Sequence, residues 1–158
     1  MSEAEKEISA DKPSHKAQVL SARLLAVQAL YQMKQNKQPV KTVYDEYILH
    51  RSEQEVDGQK LVTPDGALFK QILYGVEERY VELDAVMKAN LKKDASDRFV
   101  EPLLYSVLLC GAYELLAHSD IDAPIIINDY LNVGHAFFEK NEVALINGVL
   151  DSLAKLFR

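Results

Sequence analysis

From about Ser14 onward, apolar residues recur at spacings of three and four. Val19, Leu20, Leu24, Val27, Leu30 and Tyr31 build one stripe of a long helix. Gln18, Ser21, Gln28, Gln32 and Gln35 fall on another face. Lys16, Arg23 and Lys34 share one line along this helix with Val27 and Leu30, so these cations border the apolar face. The stretch 36–39, from Asn36 to Pro39, breaks the pattern, and a second helix is expected over 40–51 with Val43, Tyr47 and Ile48 inward. Residues 52–64 hold Gly58 and Pro64 and little apolar material, which reads as a linker. Pro64-Asp65-Gly66 then opens a helix predicted to run to Asn90, with Leu68, Ile72, Leu73, Val76, Leu83 and Val86 in register. A short polar connection at 92–97 follows.

Glu101-Pro102 opens the most apolar segment, because proline suits the first helical turn. Over 103–116 nearly every face is apolar, the mark of a central buried helix, and Cys110 sits inside it. Asp122 and Pro124 open another helix, with Ile125, Ile126, Ile127, Leu131 and Val133 available for burial. Asn141 ends it or caps the next, and a last helix is expected over 142–155. No period-two strand and no hairpin signal stands out, so the pattern predicts an all-α fold of about seven helices. Residues 1–13 read as a disordered tail and 14–158 as one helical domain.

Composition supports this. Of 158 residues, 48% are hydrophobic and 27% charged, enough apolar material for a real core. One cysteine excludes an intrachain disulfide and a cysteine zinc cluster. No apolar run reaches membrane-spanning length, and the polar, acidic start lacks the stretch a secretory signal needs; the expected compartment is the cytoplasm. The net charge of −6 argues against nucleic acid, but it is unevenly spread. Residues 1–11 balance at −3, residues 12–44 at +6 with no acid at all, and residues 45–158 at −9. A basic first helix on an acidic body is either a solvated face or a nucleic-acid footprint.

Catalytic chemistry finds little support. There is no glycine-rich phosphate loop and no nucleophile elbow. His15, His50, His118 and His135 are never three or four residues apart, so no helical metal pair exists. Cys110 reads as a small core residue. The acidic clusters Asp94, Asp97, Glu101 and Asp120, Asp122, Asp129 flank helix starts, where carboxylates cap. A binding module remains. In the segment 144–151, Gly148 costs a helix about 1 kcal/mol relative to Ala, which close packing or a close partner would explain.

Four motifs in order carry a resemblance. They are Ala26-Val27-Gln28-Ala29-Leu30-Tyr31, Ala112-Tyr113-Glu114-Leu115, Ile127-Asn128-Asp129 after Pro124, and Asn147-Gly148-Val149-Leu150-Asp151. Together, from about Leu20 to Leu156, they resemble the bacterial transcription antitermination factor NusB family. The resemblance implies an all-α fold of two three-helix bundles and a non-catalytic protein with no cofactor. It implies binding of single-stranded boxA RNA of ribosomal RNA leaders together with ribosomal protein NusE, and loading onto an RNA polymerase antitermination complex. Some members of the family form homodimers that hide the RNA surface, which leaves the oligomeric state of this chain open.

Carried over residue by residue, the implied RNA surface takes Arg23 on the first helix, with Lys12 and Lys16 upstream, and Lys140, Asn141 and Leu145 before Asn147. Val19, Leu20 and Ser21 stand where several members have arginines. Ala144 and Leu145 replace a basic residue and an aromatic. The implied protein-partner contacts are Tyr31 and Leu104; Leu104 stands at a frequently acidic position and Leu109 at a frequent arginine. These replacements motivate an alternative, a NusB-like protein-interaction module with weakened RNA binding. A third reading, an RNA-modifying enzyme, lacks room for a cofactor domain and ranks last.

Overall fold

The computed structural model describes residues 14–51, 55–56, 59–60, 62–92 and 100–158, so the expected 1–13 tail and most of the 92–97 connection lie outside the described residues. Seven α-helices occur among them: α1 His15–Asn36, α2 Val40–Glu46, α3 Gly66–Glu78, α4 Tyr80–Lys92, α5 Pro102–Ala117, α6 Ala123–Phe137 and α7 Lys140–Phe157. The all-α expectation holds, with two local departures. Tyr47–Arg51 continues α2 as a π-helical turn. Glu55–Val56 and Gln59–Lys60 pair antiparallel, a minimal ladder in the expected linker.

Local chemistry explains the boundaries. Ser14 caps α1 by accepting the Ala17 N–H at 3.0 Å, and Lys37 ends the helix in the left-handed region at φ 53°. Asp65 caps α3 by accepting the Leu68 N–H at 3.1 Å. Pro102 and Pro124 occupy first turns, of α5 and α6. The long helix predicted from Gly66 is broken at Arg79 into α3 and α4. The break leaves no trace in the apolar spacing, since Val76 and Leu83 are seven residues apart and both fully buried. The last helix begins at Lys140, so Asn141 lies in its first turn and caps neither helix; Glu139 is the N-cap residue.

α1, α2 and α3 pack together as one bundle and α5, α6 and α7 as another. α1 also packs on α5 and α6, and α4 bridges α5 and α7. Buried residues of both bundles form one contiguous core, from Leu25 and Phe69 to Leu108, Cys110, Ile126 and Leu150. α5 supplies its centre, as its all-round apolarity predicts. No described helix is long and apolar enough to cross a membrane.

Candidate nucleic-acid interface

A buried ionic cluster joins α1, α5 and α6. Arg23 of α1 donates from Nε and Nη2 to the two carboxylate oxygens of Glu114 on α5, at 2.7 and 2.9 Å. Its Nη1 donates to Asp129 of α6 at 2.7 Å. Tyr130 Oη donates to Glu114 at 2.5 Å, and His118 Nδ1 lies 2.9 Å from the same carboxylate. Arg23 is 2% exposed and Glu114 0%. Burial alone would push the Glu114 carboxyl up, but the bonds from His118, Arg23 and Tyr130 outweigh it and hold the group below its usual range. Burial likewise opposes the charge on Arg23, and Glu114 and Asp129 reverse that, leaving its pKa raised.

This overturns two expectations. Arg23 is not a surface phosphate contact, because its guanidinium is consumed inside the core. Asp129 is not a helix cap; it sits in the second turn of α6 and pairs with Arg23. Asp122 is the N-cap residue of α6, though without a side-chain cap bond.

The cluster floors a groove of about 760 Å³ between the first turns of α1 and α6. His15, Lys16 and Val19 form one wall, and Ile121, Pro124, Ile125 and Asn128 the other. Arg158 fixes the second wall, donating to the carbonyls of Leu115, His118 and Ile121 at 3.0, 2.9 and 2.6 Å. A second groove of about 280 Å³ adjoins the first through Pro124 and Asn128, and is completed by Ile127, Leu131, Asn147 and Asp151. The surface thus runs from the start of α1, over the first turns of α6, to the exposed face of α7. On that face Lys140, Ala144, Asn147 and Asp151 follow one helical line. Gly148 beside them is exposed, and a Cβ there would meet nothing within 4 Å, so internal packing does not explain this glycine.

The basic first region is largely neutralised. Lys34 pairs with Glu77 at 3.0 Å and lies over the Tyr80 ring, and Lys41 pairs with Asp45 at 2.6 Å. With Arg23 buried, Lys16 and Lys37 are the cations of this region without an acidic partner among the described residues. Lys12 lies outside them. Lys140 and Asn141 are exposed in the first turn of α7, while Leu145 is half-buried against the core. Among the described residues no group of His, Cys, Asp and Glu could hold a metal ion.

The NusB family sequence model matches residues 20–155 of this chain. The chain belongs to the NusB family. It is 37% identical over 135 residues to the transcription antitermination protein NusB of Novosphingobium aromaticivorans, covering 85% of this chain and 91% of that protein. It is 38% identical over 138 residues to the protein of the same name from Allorhizobium ampelinum, covering 87% and 86%. The fold matches NusB of T. maritima with a TM-score of 0.68 at 22% identity, covering 91% of this chain and 92% of that one.

Of the two partner positions implied by the resemblance to NusB, the structure exposes one. Tyr31 is 37% exposed and stands where two depressions meet, of about 460 and 220 Å³. Gln28, Gln32, Leu103 and Phe137 line the first; Lys34, Tyr80, Tyr105 and Pro102 line the second. Leu104 is 5% exposed and Leu109 1%. They belong to the α5 core, so Leu104 is withdrawn as a contact residue. Sequence reasoning quoted Asn128 within a motif but missed it as a site residue, although with Pro124 it is shared by both grooves; its place one turn after Pro124 was the available signal.

Proposed function

We propose that this NusB-family chain is a non-catalytic RNA-binding transcription antitermination factor of the cytoplasm. It acts on single-stranded boxA RNA of ribosomal RNA leaders together with ribosomal protein NusE, within an antitermination complex on RNA polymerase. The observation that carries the RNA reading is the continuous surface from Lys16 to Asn147, with Lys16 on the wall of its larger groove and Lys140 on the same helical line of α7 as Asn147, two exposed cations without an acidic partner among the described residues. Lys16 and Lys140 stand in the first turns of α1 and α7, where a helix dipole disfavours positive charge by about 0.3–1 kcal/mol. A phosphate chain would relieve both. Lys12, four residues before Lys16 in sequence and outside the described residues, is assigned to the same contact, with Asn141 and the edge of Leu145 at the far end. Tyr31 and its flanking depressions, on the other half of α1, form the proposed NusE contact. The alternative of a protein-interaction module was motivated by the replacements at Ala144, Leu145, Leu104 and Leu109 and would gain from an exposed apolar patch at Leu104 or Leu145; Leu104 is buried and Leu145 half-buried.

The test is binding of boxA RNA against a scrambled RNA of equal length, with and without NusE, across a salt series. The expected result is a preference for boxA in the presence of NusE and affinity that falls with salt. Equal binding of both RNAs at every salt concentration would reject the antitermination reading.

A further inference from the structure

The smaller groove between α6 and α7 has a chemistry unlike the rest of the surface. Its floor is Ile127 and Leu131, and its rim is Pro124, Asn128, Asn147 and Asp151. No cation lines it. Asp151 pairs with Lys155 at 3.2 Å through one carboxylate oxygen. A phosphate has nothing to bind there and a carboxylate to repel it. At about 280 Å³ the groove lies near the small end of ligand pockets, which start at about 300 Å³.

The two asparagines are unusual for their positions. Both stand exposed in mid-helix, where asparagine is a poor helix former. Among the described residues neither side chain has a hydrogen-bond partner. Gly148, the next residue after Asn147, adds a third unfavourable choice with empty space over its Cα. Two residues that weaken their helices and gain no partner among the described residues line one small groove, and Gly148 follows one of them in sequence. An amide offers a donor and an acceptor on one plane, and a carboxylate accepts only; these groups match the edge of a base that carries an exocyclic amino group.

We infer that Asn128, Asn147 and Asp151 form a base-reading pocket that takes one unstacked, amino-bearing base of the bound single strand. The amides of Asn128 and Asn147 pair with the base edge, the free oxygen of Asp151 accepts from the amino group, and Ile127 and Leu131 support the ring. Gly148 leaves room for the sugar. The neighbouring Lys16 groove holds backbone phosphate and carries no sequence information, so the two grooves divide affinity from specificity. This inference rests on the RNA-binding reading above.

The experiment uses boxA RNA with NusE and the full chain. Each guanine is replaced in turn by inosine, each adenine by purine riboside and each cytosine by its analogue with hydrogen at C4, which deletes one exocyclic amino group at a time without putting a carbonyl in its place. The wild-type protein is expected to lose about tenfold affinity at one position and little elsewhere. The N128A/N147A/D151A variant, which removes every group assigned to the base edge, is expected to bind the parent RNA about tenfold more weakly and to show no further loss at that position. Alanine favours both helices, so the variant folds, as a thermal melt will verify. A position-specific loss that persists in the variant, or a variant that binds the parent RNA like wild type, would overturn the pocket while leaving RNA binding intact. Wild-type protein that does not prefer boxA to scrambled RNA would overturn both.

Discussion

Arg23 is the residue on which the fold turns. A buried ion pair contributes little relative to an apolar replacement of the whole cluster, yet removing one partner strands the other charge. Arg23→Met therefore leaves Glu114 and Asp129 buried without their cation. It should destabilise the protein by about 3–5 kcal/mol in a denaturant titration. An Arg23→Glu exchange would place three carboxylates together and unfold the chain, so loss of RNA binding in that variant would say nothing about RNA contacts. The pH dependence has a definite sign. Glu114 titrates below its ordinary value of 4.5 in the folded state, so its stabilisation is fully present above about pH 4.5. It is lost as pH falls through the lower, folded value. Acid titration of stability should show this loss, and Glu114→Gln should flatten it while lowering stability at neutral pH. The cluster was half-legible in the sequence. Arg23 lies on the same helical line as Val27 and Leu30, and Glu114 is the one charge within an otherwise apolar α5. Both are signs of buried pairing. What spacing could not supply is that residues 91 and 106 positions apart meet, because that depends on how three helices pack.

Among the elements, α1 and α7 present the surface and α6 joins them. Lys16 is exposed and outside the core, so Lys16→Ala should leave the fold intact and, by removing a cation from the first turn of α1, raise stability by about 0.3–1 kcal/mol. It should reduce the slope of log affinity against log salt by about 0.7, the increment of one phosphate contact on a single strand. Gly148→Ala should raise stability by about 1 kcal/mol, since the position is helical and unobstructed, while weakening RNA binding. Gly75→Ala should do the opposite to stability, because a Cβ there would lie 2.1 Å from the Tyr113 ring, where α3 crosses α5. Most helix ends were readable from caps and prolines. The break at Arg79 was not, because α3 and α4 keep one apolar register through it. The short ladder in the expected linker went unread as well, although Asp57-Gly58 lies between its strands in sequence and is a favoured hairpin dipeptide.

For the molecule as a whole, charge is distributed by pairing. The excess of six positive charges in residues 12–44 suggested a basic face, but ion pairs absorb Arg23, Lys34 and Lys41. RNA affinity of the isolated chain should accordingly be weak, and NusE should supply much of the rest. The two proposed surfaces are separable. Lys16 and Tyr31 are 15 residues apart on α1, about 22 Å along its axis. Tyr31→Ala should therefore impair assembly with NusE in a titration by analytical ultracentrifugation, while binding of RNA to the chain alone stays as in wild type. The family resemblance implied both faces, but only packing could sort Tyr31, which is exposed, from Leu104, which is not.

The chain's one thiol has a practical consequence. Cys110 is 1% exposed at the centre of α5, and burial pushes its pKa well above the usual value. It can be alkylated only when the helices around it part. The rate of its labelling by a thiol reagent is thus a clock for opening of the core, with no engineered probe and no competing cysteine. Ligands that bind only the closed form must slow that clock in proportion to their occupancy. Labelling kinetics with RNA, NusE or both would weigh each partner's grip on the same intact molecule.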